Sequence, residues 1–459
     1  MVKLNAADIA AAVQGNIISG PKDAIIDRVS LDTRTLEPGS LFIPLRGERF
    51  DGHDFLHQAA EKGARAALVD REGEYHFPGV TVIRVKDTLE AFHSLALWYR
   101  NKFDADFVAV TGSTGKTTTK NIIAEVLRSK YNVLKSEGNF NNQVGLPATI
   151  MRLDESHRAA VVEMGMSGYG EIRALMKIVR PKVSVVTNIG MSHIERLGSR
   201  EGILRAKMEI FEGMDQNPTA VVNADDPLLC QGVKSLKAAT VYYGVDAGDY
   251  RASDIRSRGE KGTSYTLLAE GKSFEVTLPL PGRHNVYNSL AAVAVGRVFN
   301  IGFPDIIKAL RGLKGEKMRL SIQTSPGGVK VINDAYNASP DSMKSALEVL
   351  RDAKGDRKIA VLSDMLEMGD FAEEGHALVG TYAAESGVDI LITVGDYSRY
   401  IACRAKERGM DLSSVYHFES KREAAQLLDG LLKKGDVVLV KGSRGMRMEE
   451  LASRILERS

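Results

Sequence analysis

A chain of 459 residues is too long for one hydrophobic core, so about two to four domains are expected. Its 44% hydrophobic and 26% charged residues suit an ordinary globular enzyme, and 61 Lys+Arg against 59 Asp+Glu leave a formal charge of +2, which excludes a global pull toward nucleic acid or anionic membrane. Two cysteines, Cys230 and Cys403, fit a reducing cytosol rather than a disulfide scaffold, no run of about 18 apolar residues offers a membrane span, and MVKLNAADIAAAVQG, broken by Asp8 and Gln14, is not expected to be a signal peptide.

Residues 1–85 carry short strands and one or two helices, with turn signals at Glu37-Pro38-Gly39 and Phe77-Pro78-Gly79 and no phosphate loop. Residues 86–314 read differently. Asn101-Lys102-Phe103-Asp104 spells the N-K-x-D guanine code, but a GTPase carries that code on a strand after its phosphate loop, so this copy is read as a polar helix end. The run FVAVTGSTGKTTTK, Phe107 to Lys120, is an apolar strand entering a glycine-bounded loop and then a helix, with Ile122, Ile123, Val126, Leu127 and Tyr131 at helical spacing. Gly112 and Gly115 let the backbone of Ser113 and Thr114 close around phosphate oxygens. The first helical turn, Lys116, Thr117 and Thr118, brings a positive helix end, a lysine charge and a hydroxyl for Mg²⁺. The common spacing G-x-x-x-x-G-K-[ST] needs a glycine where Val110 stands; the strand and helix flanks supply the context that this departure removes. A Gly/Thr-rich turn is the bland alternative.

Beyond the loop, AAVVEMG, KVSVVTNIG and TAVVNADD alternate with helical stretches, the pattern of a parallel sheet with crossover helices. The rhythm breaks near residues 240–280, where SYTLLAEGKSFEVTL reads as an antiparallel hairpin turning at Glu270-Gly271-Lys272. Residues 315–459 form a second unit with strands VKVIND, KIAVLSDM, DILITVG and DVVLVKG. The fold class is α/β in three domains: a small mixed N-terminal domain, a central P-loop parallel-sheet domain and a C-terminal Rossmann-like domain.

Ligands of open parallel sheets sit beyond the carboxyl ends of the strands. Glu163 ends AAVVE, Asn188 and His193 follow VSVVT, and Asp334 ends VKVIND, so all four belong to such edges. Thr117 and Glu163 with phosphate oxygens suffice for Mg²⁺, against a helix cap or solvated strand end as the alternative for Glu163. His193 stands evenly between packed histidine and ligand. Asn285 and Asn288, three apart ahead of SLAAVAV, suit a purine or phosphate, or ordinary N-capping. Lys207, in EGILRAKMEIFEGM, reads from pattern alone as a surface lysine.

Together TGSTGKTTTK, EGNFNNQVGLP, VVEMG, TNIGMSHIE, AKMEIF, PGRHNVYNSLAA, Met318-Arg319 and DAYNASPDSM resemble the Mur ligase family, the ATP-dependent ligases that build the cytoplasmic peptidoglycan precursor. The resemblance spans nearly the whole chain. SLDTR, PGSLFIPLRGERFDGHDF, NFNNQVGLP and SDMLEMG are most similar to the member that joins D-alanyl-D-alanine to UDP-N-acetylmuramoyl-tripeptide, and the D-N-P-R motif of the diaminopimelate-adding member is absent. Ser339 replaces the usual second Asn of N-A-N-P, and Thr114 stands where Asn or Ser is commoner; both remain polar.

The resemblance implies an acyl-phosphate mechanism using ATP and two Mg²⁺ ions, in a cytoplasmic monomer with no nucleic-acid or membrane partner. It makes Lys116, His193 and Lys207 catalytic, with Lys116 on the β- and γ-phosphates. Thr117 and Glu163 would hold one ion; His193 and a carbamylated Lys207 would serve the second, because only a neutral amine takes up CO₂ to become an anionic ligand. Asn285 and Asn288 resemble adenine-side and phosphate-side contacts, Arg319 an arginine reaching ATP phosphate, and Asp334 and Tyr336 ribose and adenine contacts. Asn142 would help place the UDP-sugar peptide, with Asp32, Thr33, Arg34, Gly47, Asp51 and His53 as candidates for its uridine-diphosphate end.

Overall fold

The computed structural model describes residues 1–47 and 50–458; Glu48 and Arg49 of the PLRGERF segment and the terminal Ser459 lie outside the described residues. Among the described residues, three sheets larger than a strand pair follow one another along the chain. The first has five strands, in the order Asn16–Ser19, Thr81–Arg84, Ala66–Val69, Ser40–Phe42, Arg28–Ser30, parallel except for the antiparallel Asn16–Ser19 edge. Helix Thr88–Arg100, N-capped by Asp87, then leads into the second sheet and ends at Asn101, so the N-K-x-D copy is a helix end. Tyr99 of this helix, fully buried, donates its hydroxyl to Leu153 O at 2.7 Å and accepts from Val2 N at 2.9 Å, tying the chain's start to the loop ahead of Ala159–Glu163.

Nine strands form the second sheet. From one edge they are Val133–Lys135, Ala159–Glu163, Asp106–Thr111, Val183–Val186, Thr219–Asn223, Ala239–Gly244, Tyr250–Ser257, Thr263–Ala269 and Lys272–Leu278. The apolar runs of Asp106–Thr111, Ala159–Glu163 and Val183–Val186 are buried on both faces, which is why they do not alternate. The expected hairpin is present as Thr263–Ala269 against Lys272–Leu278. The break foreseen near residue 240 comes later, because Ala239–Gly244 and Tyr250–Ser257 continue the parallel ladder before the sheet turns antiparallel. Helix Lys116–Arg128 buries Ile122, Ile123, Val126 and Leu127, and helix Arg283–Val298 packs on it. That second helix is buried almost all round from Val286 to Gly296, which explains its run of small apolar residues.

The third sheet orders Ser321–Thr324, Lys330–Asn333, Val437–Lys441, Lys358–Ser363, Ile390–Val394 and Val415–Phe418, parallel but for its first strand. The first and last of these strands are half-polar edge strands of four residues, which is why the sequence reading passed over them. No described helix is long and apolar enough to cross a membrane.

In the central sheet, Asp106–Thr111 lies between Ala159–Glu163 and Val183–Val186, and the chain passes to one side of it before crossing to the other. A reversal of strand order of this kind opens a crevice at the carboxyl edge.

Candidate active site

The phosphate loop occupies that crevice. Gly115 has φ 78°, and a Cβ there would fall 2.7 Å from Asn288 Oδ1; a Cβ at Gly112 would fall 1.8 Å from Thr187 Oγ1. Both glycines are therefore fixed by close approach as well as by turn geometry. Asn188, at the next strand end, braces the loop: Ser113 N donates to its carbonyl and Thr114 N to its Oδ1, each at 3.0 Å. Lys116 Nζ curls back to Gly112 O at 2.8 Å and Ser113 O at 3.3 Å, and burial lowers its pKa below the ordinary lysine value. Thr118 lines the same cleft.

Glu163 is 3% exposed. Its Oε1 accepts Asn141 Nδ2 at 2.8 Å, while Oε2 has no hydrogen-bond partner and lies 3.9 Å from Lys120 Nζ. A buried carboxylate oxygen without a hydrogen bond beside a phosphate loop fits a hard cation such as Mg²⁺, so Glu163 is neither a helix cap nor a solvated strand end. Thr117 Oγ1 accepts Arg319 Nη2 at 2.9 Å, and a hydroxyl keeps a further acceptor site.

Lys207 is 1% exposed, near the end of helix Arg200–Met208, so the surface reading fails; tertiary packing buries the helix face that pattern left open. Burial, followed by the Lys116 charge, pushes its pKa well below the ordinary value and favours the neutral amine. His193 has φ 63° at the start of the short helix Ile194–Leu197, and its Nδ1 pairs with Glu367 Oε2 at 2.7 Å. That hydrogen bond holds the Glu367 carboxyl below its usual range. No hydrogen bond joins His193 to Lys207 among the described residues.

Asn285 and Asn288 are buried and cap nothing: Gly282 is the N-cap of their helix. Asn288 Nδ2 donates to Asn285 Oδ1 at 3.0 Å, and Asn288 Oδ1 accepts Thr119 Oγ1 at 3.0 Å, so Asn288 lies against the phosphate loop and Asn285 one turn away. Just ahead of the third sheet, Arg319, flanked by Met318 (φ 59°) and Leu320 (φ 51°), stacks its guanidinium 4.1 Å from the centre of the Tyr336 ring. Asp334 is engaged by Leu320 N at 3.1 Å and by the buried Lys441 Nζ at 2.5 Å. Lys116, Thr117, Glu163, His193, Asn285, Asn288, Arg319, Asp334 and Tyr336 line one cleft of about 1940 Å³, whereas Lys207 does not. Asn142 lines it too, its Oδ1 receiving Val144 N and Gly145 N.

The N-terminal candidates do not line this cleft. Asp51 receives His53 N at 2.9 Å and His53 Nδ1 at 2.6 Å, and its other oxygen meets Arg46 and Arg71. Thr33 is bonded to Gln58 and, through its carbonyl, to Lys62. Gly47 donates to Phe50 O. Asp32 is pulled down to about 2 by its bond to Arg34, whose side chain is 86% exposed.

Family models match three segments: the Mur ligase family, catalytic domain, at residues 25–100; the Mur ligase middle domain at 110–296; and the Mur ligase, glutamate ligase domain at 318–444. The UDP-N-acetylmuramoyl-tripeptide--D-alanyl-D-alanine ligase of Bacillus subtilis is 41% identical over 459 residues, covering 100% of this chain and 99% of that protein. The chain belongs to the Mur ligase family. This Mur ligase is also similar to the crystal structure of MurF from Acinetobacter baumannii, with TM-score 0.92, 32% identity and 100% of both chains covered. A MurF ligase from Thermotoga maritima in complex with ADP matches with TM-score 0.84 and 30% identity over 93% of this chain and 96% of that one.

Sequence reasoning passed over four residues that this Mur ligase places at the site. Lys120 follows Lys116 by one helical turn and turns inward, its Nζ on Ser136 O at 2.7 Å. Asn141 holds Glu163, Lys441 holds Asp334, and Glu367 holds His193. Strand-end position marks Lys441 in VVLVKG as it marks Glu163; nothing local marks Glu367.

Proposed function

We propose that this Mur ligase joins D-alanyl-D-alanine to UDP-N-acetylmuramoyl-tripeptide, using ATP and passing through an acyl phosphate, in the synthesis of the peptidoglycan precursor. The reading rests on the end-to-end likeness to a ligase of that name, and one contact supports it: Arg319 of the third domain meets Thr117 of the phosphate loop at 2.9 Å. Both ends of the machinery thus converge on the place where the γ-phosphate would lie.

The tripeptide carboxylate attacks the γ-phosphorus and ADP leaves. The dipeptide amine then attacks the acyl carbon, and phosphate leaves with the former carboxylate oxygen as the amide forms. Lys116 and Arg319 neutralise charge moving onto the phosphate oxygens, and Asn288 and Asn285 set the nucleotide against the helix that packs on the loop. Asp334 and Tyr336 serve its ribose and adenine. Glu163, with Thr117, would hold Mg²⁺, which supplies charge neutralisation between phosphates. His193 and Lys207 would serve a second ion, with Lys207 as the carbamate formed from its neutral amine and CO₂. Asn142, the half-buried Asp32 and the exposed Arg34 are the contacts we favour for the UDP-linked substrate, and we place the reaction in the cytoplasm, in a monomer.

An ATP-dependent phosphate-release assay with each UDP-N-acetylmuramoyl-peptide and each candidate amine tests the reading. Turnover is expected only with the tripeptide and D-alanyl-D-alanine, giving a UDP-linked pentapeptide. Turnover with a free amino acid or a folate instead would overturn it.

A further inference from the structure

Residues Gly369–Phe371 of the third domain lie against the short helix Ile194–Leu197 of the central one. The approach is close: a Cβ on Gly369, φ 51°, would fall 2.8 Å from Glu195 Cγ. At the centre of this contact Glu367 Oε2 meets His193 Nδ1 at 2.7 Å. The two residues lie in loops that follow strands of different sheets, Val183–Val186 and Lys358–Ser363, and are both non-glycine residues in the left-handed region, at φ 64° for Glu367 and 63° for His193. Residues are held in such conformations when surrounding structure fixes them, and they gather at functional sites. A small cavity of about 40 Å³ opens beside the pair and is lined by Ser113, Lys116, His193 and Glu367.

A carboxylate on Nδ1 fixes a histidine's tautomer and ring plane and leaves Nε2 as the nitrogen that can face a cation. We propose that Glu367 is the positioning residue for His193, so that docking of the third domain sets the histidine and completes a cation site that the central domain alone leaves loose. The inference rests on His193 serving a metal ion, as read above. It makes domain docking and metal binding one event: Arg319, which reaches Thr117, and Glu367, which reaches His193, arrive on the same body. Lys116 and Arg196 surround the Glu367 carboxylate with positive charge and favour that arrival.

Glu367 is exposed and sits outside regular secondary structure, so its replacement should leave the fold intact. In the full-length protein with a non-hydrolysable ATP analogue and UDP-N-acetylmuramoyl-tripeptide, Mn²⁺ titration followed by electron paramagnetic resonance reports cation affinity without turnover. Glu367→Ala should weaken the second Mn²⁺ by roughly tenfold to a hundredfold, the range found for partners of metal-binding histidines, and raise the Mg²⁺ needed for half-maximal rate alike, with ATP KM unchanged. Glu367→Gln, which still accepts from Nδ1, should recover part of the loss. In a His193→Ala background, Glu367→Ala should add no further loss of Mn²⁺ affinity. Wild-type Mn²⁺ affinity in Glu367→Ala, or an equal additional loss in the His193→Ala background, would overturn the inference. Absence of ligase turnover in the wild-type protein would instead count against the proposed function.

Discussion

Glu163 and Asp51 are both carboxylates set among basic side chains, one at the cleft and one in the N-terminal domain, and their oxygens are used differently. Both oxygens of Asp51 are engaged, by His53 on one side and by Arg46 and Arg71 on the other. Glu163 gives one oxygen to Asn141 and keeps the other buried without a hydrogen bond, with the Lys120 ammonium 3.9 Å away. A buried polar atom without a partner costs about 1–3 kcal/mol, a cost that a binding site carries until its ligand arrives and that a structural network removes. The same contrast separates Lys207, buried with its ammonium form disfavoured, from Lys62, whose ammonium is bonded to Thr33 O. Charge density alone therefore does not mark a site; unmet valence beside a phosphate loop does.

Four substitutions test this contrast. The largest effect is expected from Lys116→Ala. Removing the charge nearest the transferred phosphoryl group should lower kcat by at least about a hundredfold, roughly 2.7 kcal/mol, with little change in the denaturation midpoint. Near-normal turnover would remove Lys116 from the chemistry. Lys207→Ala should abolish most of the activity while leaving ATP binding at the phosphate loop intact, and a small carboxylic acid should restore part of the rate by filling the space with an anionic oxygen ligand. Full activity at ordinary Mg²⁺ would return Lys207 to a packing role.

Smaller effects belong to the N-terminal domain. Asp51→Asn should lower stability by about 1–3 kcal/mol, measured by denaturant unfolding, because Arg46, Arg71 and His53 lose a shared partner, while the ATP KM stays unchanged. Turnover lost with stability intact would make the loop a site and break the contrast. Arg34→Ala, at an exposed pair with Asp32, should change stability by less than about 0.5 kcal/mol and affect only the KM for the UDP-linked substrate. An unchanged KM there would move the uridine-diphosphate contacts elsewhere.

The strand, loop and helix at Phe107–Lys120 and the edge position of Glu163 were legible in the sequence because their meaning is local: glycines where the backbone closes, an acid where a buried strand ends. The parallel sheets were legible for the same reason, since strands buried on both faces read as unbroken apolar runs. Lys207 was misread from pattern because EGILRAKMEIF shows a lysine at no marked position, and only the packing of its helix against neighbouring helices decides its burial. Asp51 and His53 drew attention by residue type, whereas their closed network becomes visible only when Arg46 and Arg71 are brought beside them. Glu367 was invisible for the plainest reason: its partner lies 174 residues earlier (367 − 193), in a loop after a strand of another sheet.

The central claim, that this cleft activates a carboxylate as an acyl phosphate, is tested most directly by following oxygen. UDP-N-acetylmuramoyl-tripeptide labelled with ¹⁸O in its terminal carboxylate is turned over with D-alanyl-D-alanine and ATP, and the released phosphate is analysed by mass spectrometry. Attack of the carboxylate on the γ-phosphorus, followed by amide formation, predicts one labelled oxygen in each phosphate released. Phosphate free of label, with the pentapeptide still formed, would contradict it.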